Sequence, residues 1–301
     1  MSPASQFIYF VIYAAVMTGL FCFVFLMRQR RRTSRFPLGD DVRAMRRAGE
    51  QLDRDLAVLN ERFEIQCLLL LALPLVGLGL PLWITQPFSA SRHLGVVAAC
   101  LALALAGLIL MIRKMLATLE EIRNKRLALF GERVVADHLA DLSAKGYAVF
   151  HDVPCLGGGG PFNLDHVVVG RGAVGVVETK TYRKRAGVNG KDYEVSYDGQ
   201  KLVWPDRTST RELDQVNGNA EWLRQELKKH LNLDVPVCAA LTMPGWYVKG
   251  APPQAPVLVE NTKRLPNFIR ERFQGGLTKE QEDLVCRHLR SLCMNVEYAA
   301  L

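Results

Sequence analysis

Three long stretches without a single charged side chain lie within the first 112 residues: Phe7–Met27, Cys67–Ile84 and Leu94–Ile112. A helix that crosses the hydrocarbon core of a bilayer needs about 20 mostly apolar residues, and each stretch comes near that length. A buried core hairpin is the competing reading for such runs, but three in close succession are hard to house in a soluble fold. Pro74 and Pro81 interrupt the second run, which membrane helices tolerate. The first run does not read as a cleaved leader, because Met1–Gln6 carries no Lys or Arg. The positive charge follows it, at Arg28, Arg30, Arg31, Arg32 and Arg35. Since positive residues stay on the cytoplasmic side, the expected topology has the N-terminus outside and Arg28 onward inside. The second and third runs then form a hairpin that leaves and returns, with Arg113 and Lys114 back in the cytoplasm. The expectation is a multi-pass protein of the inner (plasma) membrane. None of the runs holds Asp, Glu, Lys or Arg, so nothing in them marks a transport path.

The formal net charge of +8 is partly this topology signal and does not by itself indicate nucleic acid. The seven cysteines are scattered and none forms a C-x-x-C pair, which suggests neither a zinc site nor a disulfide framework. Outside the apolar runs, Leu52, Leu56, Leu59 and Phe63 make one helical stripe, and Met115, Leu119, Ile122 and Arg126 another. They are expected to extend the membrane helices as a paired stalk, with repeats too short to fix a coiled-coil homodimer. The organisation expected is a first membrane helix over 1–30, a cytoplasmic basic linker and helix over 31–66, a membrane hairpin over 67–112 and a stalk helix over 113–130. A mixed α/β domain follows over 131–250, with a C-terminal strand and helices over 251–301. The α/β part reads as a mixed sheet flanked by helices. It includes an amphipathic helix over Thr208–Leu231 and a helix opened by the capping box at Thr278–Gln281.

The stretch Asn163–Lys180, "NLDHVVVGRGAVGVVETK", carries the chemistry. It reads as a tight hairpin with Arg171 and Gly172 at its tip. If Gly170 faces Ala173, then counting outward sets Asp165 opposite Glu178 on one face, with Cβ atoms about 4.5–5.5 Å apart. Lys180 lies two residues beyond and shares that face. Two opposed carboxylates near an apolar core repel, and a proton, a base or a divalent cation must relieve them. Mg²⁺ or Mn²⁺ held by such acids, with a lysine to orient water, suits metal-assisted phosphodiester hydrolysis. The competing reading is a structural salt-bridge cluster.

Glu132 shares a helical stripe with Val135, Leu139 and Leu142 and so is a candidate for the same site; its bland reading is a helix-start acid. Gln215, with Asn219 one turn later, flanks the apolar stripe of the long helix, where amides can hold a lysine, a water or a phosphate. Arg183, Lys184, Arg185 and Lys191 follow Lys180 and are candidates for phosphate contact. His166 points to the other sheet face and reads as a core or rim histidine. Gly157–Gly160 is a loop beside the site rather than a nucleotide cradle. Trp204 and Trp222 read as core residues.

Gly131–Glu132, "NLDHVVVG", "VVETK" and "DQVNGNAEWL" together resemble the nuclease-related domain (NERD), a branch of the PD-(D/E)xK nuclease superfamily. The resemblance spans roughly Leu127 to Met243 and leaves out the membrane runs. It implies a restriction-endonuclease-like fold and a metal-dependent nuclease, with DNA the first substrate. The family's acids fall on Glu132, Asp165 and Glu178, its lysine on Lys180 and its glutamine on Gln215. Leu164 and Thr179 stand where the family usually has Ile and Val, both mild departures. A module that tethers nucleic acid or protein at the membrane without cutting it is the alternative from another class.

Overall fold

The computed structural model describes residues 42–74, 90–157, 160–184, 192–250 and 254–297, with a few single positions outside these ranges. The chain divides into two compact units, Met1–Gly39 with Leu56–Arg123, and Asp40–Asp55 with Asn124–Leu301. Two long helices, α1 (Glu50–Pro74) and α2 (Ala90–Ser143), contribute residues to both.

Within the first unit, Leu56 and Leu59 of α1 and Ile122 of α2 are buried, as their stripes led one to expect. Gln66 Nε2 donates to Thr118 Oγ1 at 3.2 Å, and that hydroxyl donates to the Lys114 carbonyl at 3.0 Å. From Gly95 onward α2 is, among the described residues, the one helix long and apolar enough to cross a membrane, and none of its most apolar window is buried. Of the three expected spans, only Leu94–Ile112 is therefore seen as a long apolar helix. Phe7–Met27 lies outside the described residues apart from single positions, as does Cys67–Ile84 beyond Pro74.

The second unit is a mixed α/β fold. After β1 (Arg43–Met45) and the end of α2 come β2 (Ala148–Gly157), β3 (Gly160–Gly170) and β4 (Ala173–Thr179). Then follow β5 (Glu194–Tyr197), β6 (Leu202–Val203), β7 (Thr208–Ser209) and α3 (Arg211–Leu231). The chain continues through β8 (Val237–Thr242), β9 (Tyr247–Lys249), β10 (Val257–Glu260), α4 (Leu265–Arg272), α5 (Lys279–Cys293) and β11 (Met294–Glu297). The main sheet has five strands in the order β10, β8, β4, β3, β2. β10, β8 and β4 are parallel, whereas β4, β3 and β2 are antiparallel. Four short strands form a second sheet in the order β7, β6, β5, β9, and β1 pairs with β11.

Helices cover both faces of the main sheet, which is why β4 and β8 read as continuous apolar runs. On one face Val168, Val177 and Ala240 pack against Val135, Leu139 and Leu142 of α2, Leu265 and Ile269 of α4, and Phe273 at its C-terminal end. On the other, Val167, Val176 and Leu241 meet Leu213, Val216, Ala220 and Leu223 of α3, with Val285 and Leu289 of α5. The expected inward stripe of α3 is thus buried. The helix starts later than expected, because Thr208 and Ser209 pair with Val203 and Leu202 as a strand. The capping box at Thr278 and Gln281 is formed in both directions.

Candidate active site

The turn between β3 and β4 has the two-residue form expected, with Arg171 at φ 54° and Gly172 at φ 80°. Such a double left-handed turn matches the twist of the strands it joins. Pairing then runs from Gly170 with Ala173 to His166 with Val177. One step further sets Asp165 beside Glu178, on the face covered by α3. Lys180 N–H donates to the Thr242 carbonyl at 3.0 Å and carries the β4–β8 pairing one residue past Thr179.

Glu178 is 1% exposed, so its carboxylate must find donors within the protein. Oε1 accepts Lys180 Nζ at 2.7 Å and Gln215 Nε2 at 2.8 Å, and Oε2 accepts Asn219 Nδ2 at 2.8 Å. The two amides of α3 hold the acid, where the sequence had suggested a lysine, a water or a phosphate as their partner. Burial explains the difference, since a carboxylate taken out of water binds the nearest N–H groups. Asp165 is partly buried, and its Oδ2 accepts the Thr179 N–H at 2.7 Å. Burial first, then the charges of Glu178 and Glu132, raise Asp165 well above the ordinary aspartate range.

Glu132 reaches this group from α2 because Gly131 lets the helix approach the end of β4. A Cβ at Gly131 would lie 2.5 Å from Thr181 Cγ2. Glu132 is buried, with the Gly49 backbone beside its carboxylate. Burial, then Asp152 and Glu178, push it up to about 8, against the opposing pull of Lys180 and Gly49.

Asp152 is a participant that the sequence did not disclose. Its neighbours His151 and Val153 pair with His166 and Leu164, so it lies across from Asp165. Its φ of 48° takes it out of the regular strand conformation. Oδ2 accepts Arg46 Nη1 at 2.6 Å and the Gln51 N–H at 3.0 Å, while Oδ1 accepts Asn163 Nδ2 at 3.1 Å. Burial pushes it up to about 6 even with the Arg46 guanidinium pulling down. The only sequence signal was an acid inside the apolar strand "YAVFHDV", and the glycine loop before β3 left its register undetermined.

The result is a buried excess of acid around the end of β4, with Asp152, Asp165, Glu178 and Glu132 against Arg46 and Lys180. The oxygens of Glu132, Asp165 and Glu178 do not converge on one point. Among the described residues, the trio of ligand atoms within 4.8 Å of one another lies elsewhere, at Glu226, His230 and His288. Glu178 is held toward α3 by Gln215 and Asn219.

Of the basic candidates, Lys184 Nζ sits 5.9 Å from the Trp246 ring and 6.0 Å from the Tyr193 ring. Arg183 precedes it; Arg185 and Lys191 lie outside the described residues. His166 is fully buried, with Nδ1 2.8 Å from His151 Nδ1 and Nε2 3.3 Å from Thr179 Oγ1, which is the core role expected. Trp204 is buried, and Trp222 packs edge-on against Phe162 while donating to the Leu156 carbonyl at 3.1 Å.

Comparison with curated proteins and with solved structures returned no match. In comparison with family models, residues 128–244, the stretch that holds Glu132, Asp165, Glu178, Lys180 and Gln215, match NERD, the nuclease-related domain.

Proposed function

We propose that this chain is a membrane-anchored nuclease that hydrolyses phosphodiester bonds, DNA first, on the cytoplasmic side of the inner membrane with Mg²⁺ or Mn²⁺. The observation that carries the reading is the buried acid excess at the end of β4, with Glu178 held by Lys180, Gln215 and Asn219. The donor set fits a hard cation: it is all carboxylate oxygen, and burial already drives Asp165 and Glu132 to take up protons that a dication would replace. Asp165 and Glu178 would hold the ion, and Glu132 would add its charge from farther off. When bound, the ion would lower the pKa of a water and stabilise charge on the phosphate.

The protein's own groups do the rest. Gln215 and Asn219 fix the Glu178 carboxylate from α3, so its orientation does not depend on substrate. Lys180, with its ammonium on Glu178 Oε1, orients the attacking water and offsets charge at the phosphate. That water forms a new P–O bond as one ester P–O bond breaks. Arg183, Lys184, Arg185 and Lys191 contact flanking phosphates. Membrane anchoring is supported by the unburied apolar window of α2.

The test is cleavage by the full chain in detergent on single- and double-stranded DNA and RNA, with Mg²⁺ or Mn²⁺. Asp165→Ala and Lys180→Ala should each lower the rate by about 100-fold or more, the range for removing an electrostatic stabiliser. Asp165→Ala should melt near the wild type, and Lys180→Ala, which takes the cation from a buried carboxylate, should lose stability but stay folded. Undiminished cleavage in both variants would remove the assignment. No cleavage of any substrate, with nucleic acid still bound, would favour a tethering module.

A further inference from the structure

Glu226 and His230 lie one turn apart on α3, and His288 faces them from α5. His288 Nε2 is 3.1 Å from Glu226 Oε1, and His230 Nδ1 is 3.1 Å from the same oxygen. His230 Nδ1 also lies 3.2 Å from the Glu226 carbonyl oxygen. The two imidazoles stack with centroids 5.4 Å apart and planes 23° apart. The Glu226 and His288 side chains are 16% and 15% exposed, and His230 is 42% exposed. None of the three is used at the acidic site.

The geometry points to a zinc site made by Glu226 Oε1, His230 Nδ1 and His288 Nε2. A tetrahedral ion with ligand bonds of about 2.0–2.1 Å has corners about 3.3 Å apart. Both nitrogen-to-oxygen separations here are 3.1 Å, so small side-chain adjustments admit the ion. Two imidazoles and one carboxylate suit Zn²⁺ and disfavour Mg²⁺, which prefers oxygen alone. Three protein ligands leave a fourth position, and the exposed side of His230 opens it to water. The absence of C-x-x-C had suggested no zinc site; that pattern does not detect a site made by histidines on two helices.

Such an ion would join α5 to α3. Glu226 is three turns beyond Gln215 on α3, about 16 Å along the helix axis, and Gln215 and Asn219 hold Glu178. Zinc would thus brace the helix that positions the acidic site without entering it.

The test is titration of Zn²⁺ into the chelator-stripped full chain in detergent, followed by calorimetry and by the visible absorption of four-coordinate Co²⁺. With excess Mg²⁺ present to occupy the carboxylates around Glu178, one equivalent should bind. His230→Ala, at the most exposed ligand, should weaken binding by about 100-fold or more, since losing even an outer-shell partner costs about 10–100-fold. His288→Gln should do the same, and Asp165→Ala should bind zinc as the wild type does. Failure of the wild type to take up one equivalent would overturn the inference. So would unchanged uptake in both histidine variants, or loss of uptake in Asp165→Ala.

Discussion

Glu178 shows how much one buried side chain can demand of its surroundings. Its Oε1 is shared by Lys180 and Gln215, whereas Oε2 has Asn219. Asn219→Ala removes a buried donor and should cost about 1–3 kcal/mol of stability. Gln215 is exposed and leaves Lys180 on the same oxygen, so Gln215→Ala should cost less than about 1 kcal/mol. Thermal unfolding of the two variants checks the order, and equal losses would contradict it. The His151–His166 pair sets a pH dependence. Burial lowers both imidazoles below their ordinary 6.5, and in His166 the neighbouring His151 adds to it. An unfolded histidine accepts a proton near that value while the folded one refuses it. The contribution of this pair is therefore full above pH 6.5 and is lost as the pH falls below it, whereas the raised Glu132, Asp152 and Asp165 contribute in the opposite sense. The slope should be about 1.4 kcal/mol per pH unit for each histidine. His151→Asn keeps a polar partner for His166 and should flatten the acid limb of a melting-temperature profile by about one proton.

The β3–β4 hairpin is the element on which the acids depend, and its turn has little freedom. Gly172 has a left-handed φ, and an added Cβ would lie 2.8 Å from the Gly275 carbonyl oxygen. Gly172 N–H also donates to Glu282, and the Leu277 N–H reaches the Gly172 carbonyl at 3.1 Å. Gly172→Ala should destabilise by at least about 1–2 kcal/mol. Gly276→Ala, whose added Cβ meets nothing within 4 Å, should stay within about 0.5 kcal/mol. A melting curve for each separates a shape requirement from a general intolerance of substitution in this loop. This hairpin was legible in the sequence because a two-residue Arg-Gly turn fixes the register locally. The stripe of α3 and the capping box of α5 were legible for the same reason, since each is set within a few residues. The contact of Arg46 with Asp152 was not, because it joins positions 106 residues apart through a strand residue at positive φ. The trio on α3 and α5 was hidden too, because periodicity shows that a helix has a buried face and not which helix meets it. The parallel pairing of β5 with β9 was missed likewise, as Glu194 and Tyr247 are joined by a long connection.

At the scale of the whole molecule, two kinds of burial divide the chain. The second unit hides its apolar residues beneath helices on both sheet faces, whereas the most apolar window of α2 is left uncovered. Leu103 is 74% exposed and Leu110 66%, in a run that contains no charge to solvate it. In water such a surface would associate with anything apolar. In a bilayer it costs nothing to leave it bare, and every backbone polar group of the helix is satisfied internally. The full chain should therefore stay in the membrane pellet after an alkaline carbonate wash. Arg near the centre of a spanning helix costs about 2.5–3.5 kcal/mol on insertion scales. With Leu103→Arg and Leu110→Arg together, insertion of the 90–123 segment in a membrane-insertion reporter should fall from nearly complete to nearly absent. Both charges would face lipid, with no partner in this run to neutralise them. Unchanged insertion of the doubly substituted segment would mean that its apolar surface is covered by protein, and the anchoring half of the proposed function would fall while the acidic site stood.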